Sequence, residues 1–126
     1  MGVKDAGEIG VLLVDDEPAY LDVLQKRMRM RGLAVIPAGS GTEAIQKARG
    51  QAFDAAVLDL KLGDMDGIEV LRVLKIMDPG LAVIILTGHG SEKAARQGLA
   101  LGAFDYLTKP CDLDDLLACI HASQKN

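Results

Sequence analysis

Five short apolar runs, separated by segments of helical period, constrain this chain more than any other feature. Ile9 to Val14, Leu33 to Ile36, Ala55 to Leu58, Leu81 to Leu86 and Phe104 to Leu107 are largely continuous rather than alternating, and each is bounded by Gly, Pro or Asp. A strand apolar on both faces is covered on both, so the runs predict a parallel sheet with helices on each side. Between them Leu21, Leu24 and Met28 share a helical face, as do Ala44, Ile45 and Ala48, then Ile68, Leu71 and Leu74, and last Leu113, Leu116, Leu117 and Ile120. The segment Ser91 to Leu101 carries Gly98 and little apolar surface, yet it also reads as a helix, the fourth of five. Right-handed crossovers then give an α/β class, a doubly wound five-stranded parallel sheet with five helices.

The 126 residues suit one domain, expected over 8–123, with 1–7 and 124–126 as flexible termini and the polar stretch Ala122 to Asn126 as a frayed end. A net charge of -4 and a pI near 5.0 oppose broad electrostatic binding to nucleic acid or to an anionic membrane, so the expected partners are proteins. No apolar run is long enough to span a membrane. Cys111 and Cys119 match no zinc or redox spacing and read as ordinary thiols in a reducing cytoplasm.

In such a sheet, chemistry gathers at the carboxyl ends of the strands. Asp15, Asp16 and Glu17 follow the first run, Asp59 the third, Thr87 and Gly88 the fourth, and Thr108, Lys109 and Pro110 the fifth. Carboxylates crowded at one edge repel and persist most easily around a cation. Magnesium (or manganese) suits oxygen donors of this kind. An aspartate is also a nucleophile in covalent phosphoryl transfer. Lys109 would offset charge on an incoming phosphoryl group, while Thr87 and nearby backbone N–H groups would bond its oxygens.

Val11-Leu-Leu-Val-Asp-Asp-Glu17, Asp59 with Met65-Asp-Gly67, Leu86-Thr-Gly88 and Tyr106-Leu-Thr-Lys-Pro110 together resemble the receiver family of two-component signalling, over nearly the whole chain. The resemblance implies a flavodoxin-like (CheY-like) fold with strand order 2-1-3-4-5. It implies Asp59 as phosphoacceptor, with magnesium on Asp15, Asp16, Asp59 and the backbone carbonyl of Lys61. It further implies Lys109 as the phosphate-contacting lysine, Thr87 and Tyr106 as the switch pair, and a cis peptide at Lys109-Pro110. Lys61 and His89, each two residues past a site residue, are expected to tune the phosphoryl lifetime. The implied partners are a sensor histidine kinase or phosphotransfer protein and a downstream protein target, with no direct nucleic-acid or membrane binding. The implied output surface, available also for a dimer, is the fourth helix, fifth strand and fifth helix. The protein would be no enzyme beyond self-catalysed phosphotransfer and autodephosphorylation, and either a stand-alone receiver or a piece of a longer chain.

Gly63 and Leu62 stand where the family has proline and methionine, and Gly63 is expected to loosen the loop after the third strand. Singly, the site residues have blander readings. Asp16 or Glu17 before Pro18 could simply cap a helix, Asp59 could end a strand at a turn, Lys109 could be a solvated charge and Tyr106 an edge residue. Jointly, four such residues at one sheet edge favour the site. His121 reads as a surface cation at a helix end.

Three rival functions share parts of this pattern. A haloacid-dehalogenase-like phosphatase places a second Asp two residues past its nucleophile, where this chain has Lys61. A flavodoxin-like electron carrier needs a Ser/Thr/Gly-rich loop and aromatics, where this chain has Asp15-Asp16-Glu17 and no Trp. A phosphorylation-independent interaction module typically loses an acid or the lysine, and all are present here.

Overall fold

The computed structural model describes residues 7–88 and 91–125. Its strands are β1 (Gly10–Val14), β2 (Ala34–Ala38), β3 (Ala55–Asp59), β4 (Ala82–Thr87) and β5 (Asp105–Thr108). Its helices are α1 (Pro18–Met30), α2 (Gly41–Gly50), α3 (Gly67–Met77), α4 (Glu92–Ala100) and α5 (Leu113–Ser123). All strands are parallel, in the order β2-β1-β3-β4-β5. None of these helices is long and apolar enough to cross a membrane.

Alternation along the strands explains why the runs are apolar throughout. Leu12, Leu58, Val83 and Ile85 turn to one face, against Ala44 of α2 and Ile68, Leu71 and Leu74 of α3. Val11, Leu13, Val57, Ile84 and Leu86 turn to the other, against Leu24 and Met28 of α1 and Leu116, Leu117 and Ile120 of α5. Burying one such side chain contributes roughly 1.5–3 kcal/mol, so both faces of the three inner strands are committed. The edge strands β2 and β5 are less buried.

Except for β1, the strands end one or two residues later than the apolar runs. Asp59 pairs with Leu86 and Thr87 with Thr108, so these polar residues are the last rungs of the ladder rather than loop residues beyond it. At the other end of the chain the last helix carries further bonds. Helix α5 continues through Ser123, whose hydroxyl donates to the Ile120 carbonyl at 2.6 Å, and the Gln124 amide donates to the Asp54 carbonyl at 3.2 Å. Of the expected flexible termini, residues 1–6 and 126 lie outside the described residues.

Helix α4 has only Ala95 and Gly98 fully buried, in line with its small apolar surface. Gly98, however, is more than a weak helix former. A Cβ there would collide with Ile85 Cδ1 of β4, so the missing side chain lets α4 lie close to the sheet.

Candidate functional site

The first loop is fixed by its own acid. The Asp15 N–H donates to the Ala38 carbonyl at 3.1 Å, and Asp15 Oδ1 accepts the Glu17 N–H at 2.9 Å, pinning the turn into α1. Pro18 is the first helical residue, as expected, but Glu17 makes no side-chain cap, so the simple helix-cap reading of that acid does not hold. Asp15 Oδ2 accepts from Lys109 Nζ at 2.6 Å, and Asp59 Oδ2 accepts from the same ammonium at 3.3 Å. Asp59 Oδ1 takes the Lys61 N–H at 3.1 Å. Asp15 and Asp59 are only 1% and 7% exposed, whereas Asp16 is open to solvent. One oxygen from each of the three carboxylates lies within 4.8 Å of the others.

Burial pushes the Asp59 carboxyl up from its ordinary range, against the opposing pull of the Lys61 N–H and of Lys109. Burial acting alone would lower Lys109, but its hydrogen bond to Asp15 and the charges of Asp59 and Asp15 raise it. Three carboxylates thus lie together, two of them bonded to one ammonium, with oxygen donors only. That is a fit for a hard divalent cation, of the kind receiver domains bind at an acidic pocket.

The opposite wall comes from β4 and β5. The Lys109 N–H donates to the Thr87 carbonyl at 2.7 Å, and the Lys109-Pro110 peptide is cis. Thr87 is fully buried, and its hydroxyl reaches the Leu107 carbonyl at 3.5 Å, the long limit of a hydrogen bond, rather than Asp59. Tyr106 is half-buried, packed against the core on the α3 and α4 side. The Lys61 side chain is exposed at the rim. His89 lies outside the described residues.

Two residues of this region were not singled out from sequence. Tyr20 presents its ring face to Lys109 Nζ, 4.4 Å from the centroid. Its place in the first turn of α1, two residues after Pro18, was the available signal. Asp64 is the other. Its carboxylate accepts from the Gly41 N–H at 2.9 Å, the Thr42 N–H at 2.9 Å and the Thr42 hydroxyl at 2.7 Å, tying the loop after β3 to the start of α2. The Thr42 hydroxyl and the two backbone N–H groups hold its carboxyl down at about 2.

The same loop is closed by Asp66, which caps α3 by accepting the Ile68 N–H at 3.0 Å, and by a bridge between Lys61 and Asp66. Gly67 packs so closely on Leu60 that a Cβ would overlap its backbone. The loosening expected from Gly63 is therefore countered by anchors on both sides of it.

The family profile of the response regulator receiver domain matches residues 11–121. The chain belongs to the response-regulator receiver family. The receiver is 38% identical over 112 residues, 89% of its length, to the transcriptional regulatory protein ZraR of Escherichia coli K12, and covers 25% of that relative. It superposes on a CheY-like receiver domain protein of Methanospirillum hungatei with a TM-score of 0.89 and 32% identity, covering 94% of each chain. It also superposes on a response regulator of Burkholderia pseudomallei with a TM-score of 0.84 and 30% identity, covering 90% of this chain and 66% of that one. That structure is described as having a phosphorylated aspartic acid, a calcium ion and citrate. The family is one of phosphoacceptor signalling domains rather than conventional enzymes.

Proposed function

We propose that this receiver takes a phosphoryl group onto Asp59 from a sensor histidine kinase or phosphotransfer protein and thereby controls a protein target. The observation that carries the reading is the convergence of Asp15, Asp59 and Lys109, with one ammonium 2.6 Å and 3.3 Å from two buried carboxylates. The phosphorylated aspartate and calcium ion of the Burkholderia protein support the same chemistry here.

An Asp59 carboxylate oxygen attacks phosphorus in line. The bond from phosphorus to the donor breaks, and its electron pair leaves with the donor. Asp15, Asp16, Asp59 and the Lys61 carbonyl would hold magnesium or manganese, which when bound supplies positive charge between the attacking carboxylate and the phosphoryl group. Lys109 stays beside Asp59 and offsets the charge that arrives. The exposed Lys61 side chain and His89 would slow or orient the water that removes it.

Thr87 and Tyr106 carry the readout in this proposal. The Thr87 hydroxyl gives up a 3.5 Å bond and gains a phosphoryl oxygen, a stronger acceptor. Tyr106, already half-buried, follows inward. Exchange of that bond for a charged one is worth roughly 1–3 kcal/mol, enough to shift populations about five- to 150-fold. The readout surface is α4, β5 and α5, also available for a dimer. Two free cysteines fit a cytoplasmic setting. The likeness to a transcriptional regulatory protein, of which the chain matches a quarter, favours control of transcription as the output, exerted outside the residues compared.

The test is incubation with acetyl phosphate and magnesium, read by intact mass. Wild type should gain one phosphoryl group, Asp59→Asn none, and EDTA should abolish the gain. Thr87→Ala should still take the label, yet give much smaller beryllofluoride-induced NMR shifts over residues 91–107. Label elsewhere in the Asn variant would sink the assignment of the acceptor, and full-sized shifts in Thr87→Ala would sink that of the switch.

A further inference from the structure

Lys109 carries a four-carbon chain with several free torsions, yet its ammonium has to stay beside Asp59 while a phosphoryl group arrives. Two of its contacts are carboxylates. A dianionic phosphoryl group and a divalent cation both compete for those partners, so they are poor means of fixing the lysine. The third contact, the face of Tyr20, has no such competitor.

Tyr20 is itself well fixed. It lies in the first turn of α1, directly after the turn that Asp15 pins through the Glu17 N–H, and it packs against the core shared by α1 and α5. The ammonium lies 4.4 Å from the ring centroid, inside the range where an aromatic quadrupole attracts a cation. The ring also covers the ammonium on its α1 side, leaving the Lys109 side chain 21% exposed.

We propose that Tyr20 is a positioning residue for phosphoryl uptake, its ring face holding Lys109 between Asp15 and Asp59 while their charges are redistributed. The role belongs to the ring and not to the hydroxyl. It rests on the assignment of Asp59 as phosphoacceptor, and it adds a residue to that site rather than a new site.

The experiment uses the full chain. The Lys109 side-chain resonances are first recorded without phosphoryl donor, where ring current should move its ε protons upfield in wild type and in Tyr20→Phe but not in Tyr20→Leu. Labelling by acetyl phosphate at saturating magnesium is then timed. Tyr20→Leu should be slower by about three- to tenfold with unchanged magnesium affinity, and Tyr20→Phe should keep most of the wild-type rate. Unshifted Lys109 protons in wild type, which need no variant, would overturn the proposal. So would a Leu variant as fast as wild type, or a Phe variant as slow as Leu. A wild type that takes no label overturns the phosphoacceptor assignment and this one with it, whereas a labelled wild type with an unaffected Leu variant overturns Tyr20 alone.

Discussion

The loop after β3 and the segment from β4 to β5 border the same carboxylate pocket, but they are held in different ways. The first is tied at three points. Asp64 bonds the start of α2, Asp66 caps α3, and Gly67 brings α3 against the Leu60 backbone. The second rests on a helix with two fully buried residues and on a Thr87 hydroxyl bond at the limit of its reach. Under the proposed function a nucleophile needs a fixed wall and a readout a movable one, and the unequal anchoring on the two sides of Asp59 suits that division.

The largest test of this contrast compares two glycines that both stand where a Cβ would collide. In Gly67→Ala the Cβ meets Leu60 Cα, C and O, backbone atoms that retreat only if the strand end moves with them. A loss of about 3 kcal/mol in urea unfolding is expected. In Gly98→Ala the Cβ meets the terminal methyl of Ile85, which rotates away, while the helix gains roughly 1 kcal/mol from alanine over glycine. The net change there should stay within about 1 kcal/mol. Equal losses at the two positions would mean that the β4 side is packed as firmly as the β3 side.

A smaller effect should come from the Asp64 tie, through its dependence on pH. The carboxyl is held at about 2 in the folded chain against an ordinary value of 3.8. The folded pKa is the depressed one, so the contribution is fully present above the ordinary value and fades as pH falls through the folded one. The melting-temperature gap between wild type and Asp64→Ala should be constant from neutral pH down to about 5 and close toward pH 2. A gap that persists unchanged at pH 2 would show that the ionised carboxylate is not what ties the loop to α2.

Which of these features could be read in the sequence depends on how far each lies from its partners along the chain. The parallel sheet was legible because continuous apolar runs such as Ala55 to Leu58 have to be buried on both faces. The pocket was legible because Asp15, Asp16, Asp59 and Lys109 each follow an apolar run, and strand ends meet at one edge. Tyr20 was not legible, since a half-apolar residue on a helix face reads first as core. The three bonds of Asp64 reach back 22 and 23 residues to Thr42 and Gly41, and no local pattern announces them. Gly98 was seen only as a weak helix former because the close approach it makes involves Ile85, on another element.

Gly63 gives the finest test. Absence of the family's proline suggested a loose loop, yet the anchors at Asp64, Asp66 and Gly67 follow it within four residues, and Lys61 is bridged before it. Its φ is not in the left-handed region, and a Cβ would sit 3.6 Å from Asp16 Oδ2, an ordinary contact. Glycine is thus required neither by backbone geometry nor by space. Gly63→Ala should then act mainly on the unfolded chain, whose freedom it reduces, and stabilise by about 0.4–1 kcal/mol in urea unfolding. Labelling by acetyl phosphate should change by less than about twofold, because the wall beside Asp59 is already fixed. A stabilised variant with a much altered labelling rate would mean that Gly63 supplies motion the site uses. In that case the β3 loop belongs with the movable wall, and the contrast between the two sides of Asp59 fails.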